Sequence, residues 1–518
     1  MNSAPMDKFL GFILRLSMIL GTASFAGAQW PPDSCGCAQW HYEHVEAYGP
    51  CASNIIVQVT RYGDAHSINF MQFLNLLNKN DSTTYVIAAD TAPYILGCRN
   101  ITIGGRRCVM VRGATGRRED VVLAGLDPRL SPDFWKSAEY DGPSPCGIGS
   151  FIQTQDVDHF VIADLSIVNS PGKMVKIDGA AGYFGKNIIL HNVELRDCGS
   201  QMVKGAATTG AISSRNCIVE CSYLHYSDAL FSESSYETQG IDIHEGKHWT
   251  IRYNFFRNFR QGNWGNSNNS DAILMWDYTD SVLVEGNLIV NCNMGVRLAS
   301  PGSGGDYMWA HNNVIVASDP DPRFSYRDCI EVGSSASHGW VCHNTMWNPE
   351  GNSLVSCYNQ LPVMNNLYYN GVFSHGCNAR NNTQVQDASA FSDVDAFDFH
   401  PKSDFSVPRV SEVPEDLEGR VRQIQTAAGA YEFSPDAIEQ AVNIAGSGIL
   451  VSPNPFNATI RIEGAGPAEI EIFDAHGTLV KRMRAPSVWD ANNAPAGIYI
   501  VRCFANGAQY SKRIALVR

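Results

Sequence analysis

Lys204, Asp242, His244, Glu245, Lys247, Trp276, Arg297 and Glu331 are the residues of this chain whose types and spacing suit chemistry on a sugar acid. An indole face stacks on a pyranose ring. A cation binds a uronate carboxylate, Arg through a two-pronged contact and Lys as a point charge. β-Elimination needs a base for the proton α to that carboxylate and a positive charge for the enolate that forms. His244 or Lys247 is the expected base, and Arg297 or Lys204 the expected electrostatic stabiliser. Asp242, Trp276, Glu245 and Glu331 are expected to contact substrate. Hydrolysis would instead require a carboxylate pair, for which Asp242 with Glu245 or Asp277 is the best offer. Each residue also has a plainer reading, because outward charges on a repetitive β-surface are commonly solvated or paired across strands.

What groups these residues is a short phrase that returns along the chain: apolar residues, an Asn, then another apolar pair. It reads Ile251-Arg252-Tyr253-Asn254-Phe255, Val284-Glu285-Gly286-Asn287-Leu288, Ala310-His311-Asn312-Asn313-Val314, Val341-Cys342-His343-Asn344-Thr345 and Val363-Met364-Asn365-Asn366-Leu367. Weaker copies end at Asn192-Val193 and Asp164-Leu165. The Asn-to-Asn steps are 33, 26, 31 and 22 residues, an elastic period that marks a solenoid with loops of varying length. Asn at a fixed place tolerates a left-handed bend and can bond the Asn of the next rung. Stacking the strand before each phrase with Val175, Val203, Ile241, Ile273, Val296 and Ile330 inward turns the following residue outward. That outward column reads Lys176, Lys204, Asp242, Leu274, Arg297, Glu331. His244 and Trp276 lie two residues further along the same face, with Glu245 and Lys247 in the adjoining turn.

The chain has 518 residues, 52 of them acidic and 38 basic, for a net charge of −14. With no Lys/Arg-dense stripe in the sequence, nucleic acid is excluded as a main partner, while a polyanionic sugar remains compatible with a local basic cleft. Residues 1–28 read as a secretory signal, with Lys8, an apolar run from Phe9 to Ile19 and a small-residue site at Ala26-Gly27-Ala28. No later stretch is apolar for long enough to span a bilayer, so no transmembrane segment is expected after signal removal. All 15 Cys follow the signal. Cys35, Cys37 and Cys51 form a local cluster, Cys98/Cys108 and Cys217/Cys221 are near pairs, and Cys198, Cys292 and Cys342 read as small apolar residues stacked in a core. Zinc spacing is absent. Asp319, Asp321, Asp328 and Glu331 offer oxygen ligands, which makes Ca²⁺ the one candidate cofactor.

The expected organisation has an entry segment at 29–97, in which apolar spacing predicts a helix over 67–80 that caps the first rung. Short strands then fill 98–433, a linker spans 434–448, and alternating strands fill 449–518. The tail resembles the C-terminal sorting domain of the bacterial type IX (Por) secretion system, through Asn454-Pro455, Asp474, Gly477, Trp489, Gly497, Tyr499 and the stretch Lys512 to Arg518. That resemblance implies a partner, the outer-membrane secretion machinery, and a secreted or cell-surface product. The middle resembles the secreted right-handed parallel β-helix proteins of pectate-lyase-like type, through Gly240-Ile241-Asp242-Ile243-His244, Trp249-Thr250-Ile251-Arg252, Ala272-Ile273-Leu274-Met275-Trp276 and Gly429-Ala430-Tyr431-Glu432. Calcium-dependent lyases of that type pair a Lys base with an Arg one rung later. Lys247 mimics the Lys, but Trp276-Asp277 stands where the Arg would be sought. The expectation is thus an all-β chain, a right-handed parallel β-helix followed by a small Ig-like antiparallel sandwich, acting on extracellular polysaccharide. Lysis of an acidic glycan leads. A glycoside hydrolase, a non-catalytic carbohydrate binder or adhesin, and a structural coat protein are the rivals.

Overall fold

The structure is a computed structural model that describes residues 51–433, with its longer breaks at 126–148, 228–237, 261–269 and 319–327, and most of 450–516. The expected signal (1–28), the Cys35–Cys37 pair, the linker (434–448), Asp319 and Asp321 lie outside the described residues. Two compact units divide the chain, 1–433 and 434–518.

Unit 1 is a coil of parallel strands. Three long sheets, here A, B and C, contain 13, 11 and 10 strands among the described residues. One rung shows the plan. The strand Ile241–His244 belongs to C and Gly246–Arg252 to A, with only Glu245 between them. Tyr253 and Asn254 turn the corner into Phe255–Arg257 of B, and a longer connection returns to C at Asp271–Trp276. Successive rungs pair in parallel, as at Ile241↔Ile273 in C and Ile251↔Val284 in A. Side chains alternate faces along each strand, so Ile241, Ile243, Ile273, Trp249 and Ile251 point inward and form a continuous buried core.

Parallel stacking begins earlier than residue 98. Ile55–Thr60 already pairs with Thr83–Ile87 in sheet A, inside the expected entry segment. The helix there is shorter than the expected 67–80 and covers Phe70–Leu76. Ile68 and Asn69 are drawn into pairing with Val59 and Thr60, and Asn69 and Gln72 then close a reciprocal capping box. Phe70, Phe73 and Leu77 bury themselves with Val59 and Tyr85, which covers the end of the coil.

The A-to-B corner has two residues on rung after rung, and each has its own duty. The first is left-handed: Asp164, Asn192, Cys221, Tyr253, Gly286, Asn312, His343, Asn365 and Asn381 all have φ between 49° and 62°. The second, from Asn254 through Asn287, Asn313, Asn344 and Asn366 to Asn382, builds an amide ladder. Asn287, for example, donates from Nδ2 to Asn313 Oδ1 at 3.0 Å and to the Ile251 carbonyl at 2.9 Å, inside the core. One expected role of Asn is therefore split between two adjacent positions. Asp164 and Asn192, taken as weak copies of the ladder Asn, occupy the left-handed position one residue earlier, where a short polar side chain relieves the bend.

Residues 386–433 leave the coil and pack along sheet B, where Phe391, Phe399, Leu417 and Tyr431 join Leu288, Val290, Val314 and Val316. Within this segment His400 Nδ1 meets Asp398 at 2.5 Å and Nε2 meets Glu418 at 3.2 Å. Burial opposes the imidazolium, but the two carboxylates outweigh it and raise the His400 pKa from 6.5 to about 9. A raised histidine stabilises the fold fully below its unfolded value, and that contribution disappears as pH rises through the folded one. Urea unfolding of the protein is therefore expected to show stability falling between pH 6.5 and about 9, with His400→Gln flattening that slope. A wild-type profile flat across this interval would refute the contribution.

Two disulfides lie among the described residues, Cys51–Cys108 and Cys357–Cys377. Of the near pair Cys98/Cys108, Cys98 lies outside the described residues and Cys108 is bonded to Cys51. Cys217 is a free thiol while Cys221 is disulfide-bonded, so that near pair does not form. Cys198, Cys292 and Cys342 are free and buried. Unit 2 is antiparallel, with a three-stranded sheet (Leu450–Ser452, Thr459–Glu463, Ser487–Asp490) and a four-stranded one ordered Leu479–Ala485, Ala468–Asp474, Gly497–Ala505, Ala508–Leu516. Ile460, Ile462, Ile470, Ile472, Trp489, Tyr499 and Val501 form its core. Trp489 meets Tyr499 edge-on at 5.0 Å.

Candidate functional site

Sheet C aligns the sequence-derived column as drawn. Lys176 pairs with Lys204, Lys204 with Asp242, Asp242 with Leu274, Leu274 with Arg297, and Arg297 with Glu331. His244 pairs with Trp276 one step along. From Asp242 onward the column is not open to solvent, however. Asp242 is 1% exposed, and Leu274, Arg297 and Glu331 are 4% exposed each. The outside of a sheet is not the outside of the molecule, and these rungs are covered.

Within the column the charges satisfy one another. Lys204 Nζ donates to Asp242 Oδ2 at 2.6 Å. His244 Nε2 lies 3.1 Å from Asp242 Oδ1, and its Nδ1 lies 3.0 Å from Asp277 Oδ2. Burial works against the Asp242 carboxylate, yet His244 and Lys204 outweigh it and hold its pKa below the ordinary value. The Trp276 ring stacks beside His244 at 6.3 Å. Arg297 lies one rung beyond Leu274 in the same column, between Asp271 at 3.3 Å and Glu331 at 3.6 Å, and all three are buried. Arg297 and Glu331, expected on an open face, are thus paired with each other and buried. Asp328, a second expected calcium ligand, accepts from Ser356 instead, so it and Glu331 serve different partners.

Glu245 and Lys247 part company at the C-to-A corner. Glu245 is the whole corner, in left-handed conformation, and burial raises its carboxyl pKa against a hydrogen bond from the Ala207 amide. Lys247 is not in a turn. It stands in the sheet A strand between Arg215 and Asp280, and meets Asp280 at 3.5 Å.

The row containing His244 opens into a groove on the earlier rungs. Gly104 pairs with Gln155, Gln155 with Asp178, and Asp178 with Ala206, while Gly205 pairs with Ile243 next to His244. Small side chains here (Gly104, Gly105, Gly179, Ala180, Ala206, Ala207) leave a groove of about 710 Å³, lined also by Asp156, Lys176 and Tyr183. That is the size of a pocket for a small ligand or a few sugar rings. Tyr183 is 61% exposed at its wall. Lys176 Nζ meets Asp178 at 2.8 Å. The sequence reading missed Lys173, on the same strand as Lys176. Burial and the positive charges of Lys176 and Lys204 lower its pKa. A run of small residues starting two or three places beyond the outward column, beside three lysines, was the available signal.

Comparison with known proteins adds the following. Residues 450–517 match the family described as the secretion system C-terminal sorting domain. No curated protein sequence matches the chain. Among solved structures, the chain is similar to pectate lyase Pel9A at 11% identity, with 74% of this chain and 90% of that one covered and a TM-score of 0.38. An alginate lyase from Paenibacillus sp. str. FPU-7 gives 12% identity, 62% and 97% coverage and 0.34. A polygalacturonase from Erwinia carotovora ssp. carotovora gives 11%, 64% and 97%, and 0.32. With scores this low, the fold assignment rests on the strand pairing itself. Among the described residues no helix is long and apolar enough to cross a membrane. The tail is a type IX sorting domain, and the protein is one that this machinery delivers to the cell surface or beyond it.

Proposed function

We propose that unit 1 binds an acidic, uronate-containing extracellular polysaccharide along sheet C and cleaves it by β-elimination. The observation that carries this reading is the register of sheet C: Lys176 lines the groove, and the row through Asp178 and Ala206 of its wall runs on to His244 and Trp276, with Lys204 paired to Lys176. A uronate carboxylate meets the lysines, whose charge stabilises the enolate. His244 takes the α-proton once its ring leaves one of its two carboxylates. The electron pair then forms a carbon–carbon double bond, and the glycosidic oxygen β to the carboxylate departs and is protonated. Asp242 orients His244 and Trp276 stacks on a ring.

Hydrolysis is the second reading, favoured by the carboxylates of Asp242 and Asp277 on either side of His244. Incubation with pectate, alginate and chondroitin separates the two. Elimination yields an unsaturated uronate with new ultraviolet absorbance, whereas hydrolysis yields reducing ends without it. Binding with neither product on any of the three would refute both readings and leave a carbohydrate binder.

A further inference from the structure

Sheet A carries three cations stacked on consecutive rungs. Lys186 pairs with Arg215, and Arg215 with Lys247. Neighbouring strands lie only about 4.8 Å apart, and like charges placed directly opposite destabilise a sheet. Carboxylates stand at both ends of the run, Asp158 beside Lys186 and Asp280 beside Lys247, but not within it. In a chain of net charge −14, such a run stands out against its surroundings. Lys247 uses Asp280. The described contacts of the other two heads are with one aromatic ring: Lys186 Nζ lies 4.9 Å and the Arg215 guanidinium 5.8 Å from the centre of Phe184.

The backbone beneath them is set in advance. Asn187 and Asn216, each following one of these cations, are left-handed, and so is His248 after Lys247. Asn216 Nδ2 donates to Asn187 Oδ1 at 3.3 Å, and Asn187 Nδ2 donates to Asp158 Oδ1 at 2.7 Å. This amide chain fixes the spacing of the cations before any ligand arrives, which removes part of the ordering cost of binding. Position relates them to the groove. Phe184 directly follows Tyr183 of the groove wall, and Lys186 is two residues further on.

We propose that Lys186 and Arg215, with the Phe184 ring beside both, form an accessory subsite that holds a carboxylate-bearing stretch of the same glycan outside the cleft. This rests on the reading of unit 1 as a binder of acidic polysaccharide. The two cations replace each other's repulsion with shared attraction to a polyanion, and Phe184 supplies an apolar face for a sugar ring. Neither group touches the reacting atoms, so the subsite governs affinity and salt dependence.

The test uses the full-length protein and its Lys186→Gln/Arg215→Gln variant, with polygalacturonate and alginate as probes and a neutral glucan as control. Loss of two charge-assisted contacts is expected to weaken polyuronate binding at least about tenfold and to flatten its salt dependence. Glucan binding should not change. Any cleavage should show a raised KM with kcat retained, and Arg215→Lys should restore part of the affinity. Unchanged polyuronate affinity in the double variant, with its circular dichroism and melting intact, would overturn the subsite even if the protein cleaves. Weakened binding in a protein that cleaves nothing would support the subsite and refute the lyase reading. Failure of the wild type to bind either polyuronate would overturn both.

Discussion

His244→Ala is expected to lower turnover of an acidic polysaccharide by about 10²–10⁴-fold, the range for loss of a positioned general base, while the melting temperature changes little. The side chain is 27% exposed and stands at the edge of the core, so its removal leaves no sealed cavity. It does leave Asp242 with one partner fewer, and Lys204 at 2.6 Å then balances that buried carboxylate. Steady-state rates beside thermal melts check both halves. Retained turnover would overturn the assignment of the base and shift attention to Lys173, whose lowered pKa makes a neutral amine more accessible. Loss of stability along with activity would make His244 a structural member of the column.

Arg297→Ala is expected to destabilise unit 1 by about 3–5 kcal/mol, the usual result of removing one partner from a buried charge group. The guanidinium is 5% exposed, Asp271 is fully buried and Glu331 is 6% exposed. Deleting the cation leaves two carboxylates in the same low-dielectric space. Chemical denaturation should register the change as a lower midpoint. Replacing Asp271, Arg297 and Glu331 together with apolar residues of similar volume should recover much of the loss. A variant as stable as wild type but without catalysis would restore Arg297 to the substrate-contacting role its sequence position suggested. The contrast between the two substitutions separates chemistry from architecture on one sheet.

Much of this arrangement was legible in the residues. The inward series Val175, Val203, Ile241, Ile273, Val296, Ile330 sets the register of sheet C, because a one-residue slip would turn a charged row into the core. That series brought Lys204, Asp242, His244 and Trp276 together. Exposure was not legible. Whether Arg297 meets water depends on the path of connections whose length, but not course, can be counted. Lys247 was misplaced because the C-to-A corner takes one residue, and a chain position three beyond His244 looked like turn rather than strand. Asn192 was misaligned because two neighbouring corner positions both favour Asn, one for its tolerance of left-handed φ and the other for its amide. Lys173 escaped because it lies off the outward column and its lowered pKa is a consequence of packing.

Along the ladder the A-to-B corner stays at two residues while the separations run from 33 down to 16, so the variation in rung length falls on the strands and on the other two corners. Both of those border sheet C, the sheet that carries the groove. The ladder thus acts like the spine of a bound book: pages of unequal width can be inserted at the open edge without disturbing the binding. Insertions and deletions that reshape the groove-bearing side leave the core register untouched. Specificity and stability are thereby placed on different parts of each turn, and a lineage with this fold can change what it holds without relearning how to fold.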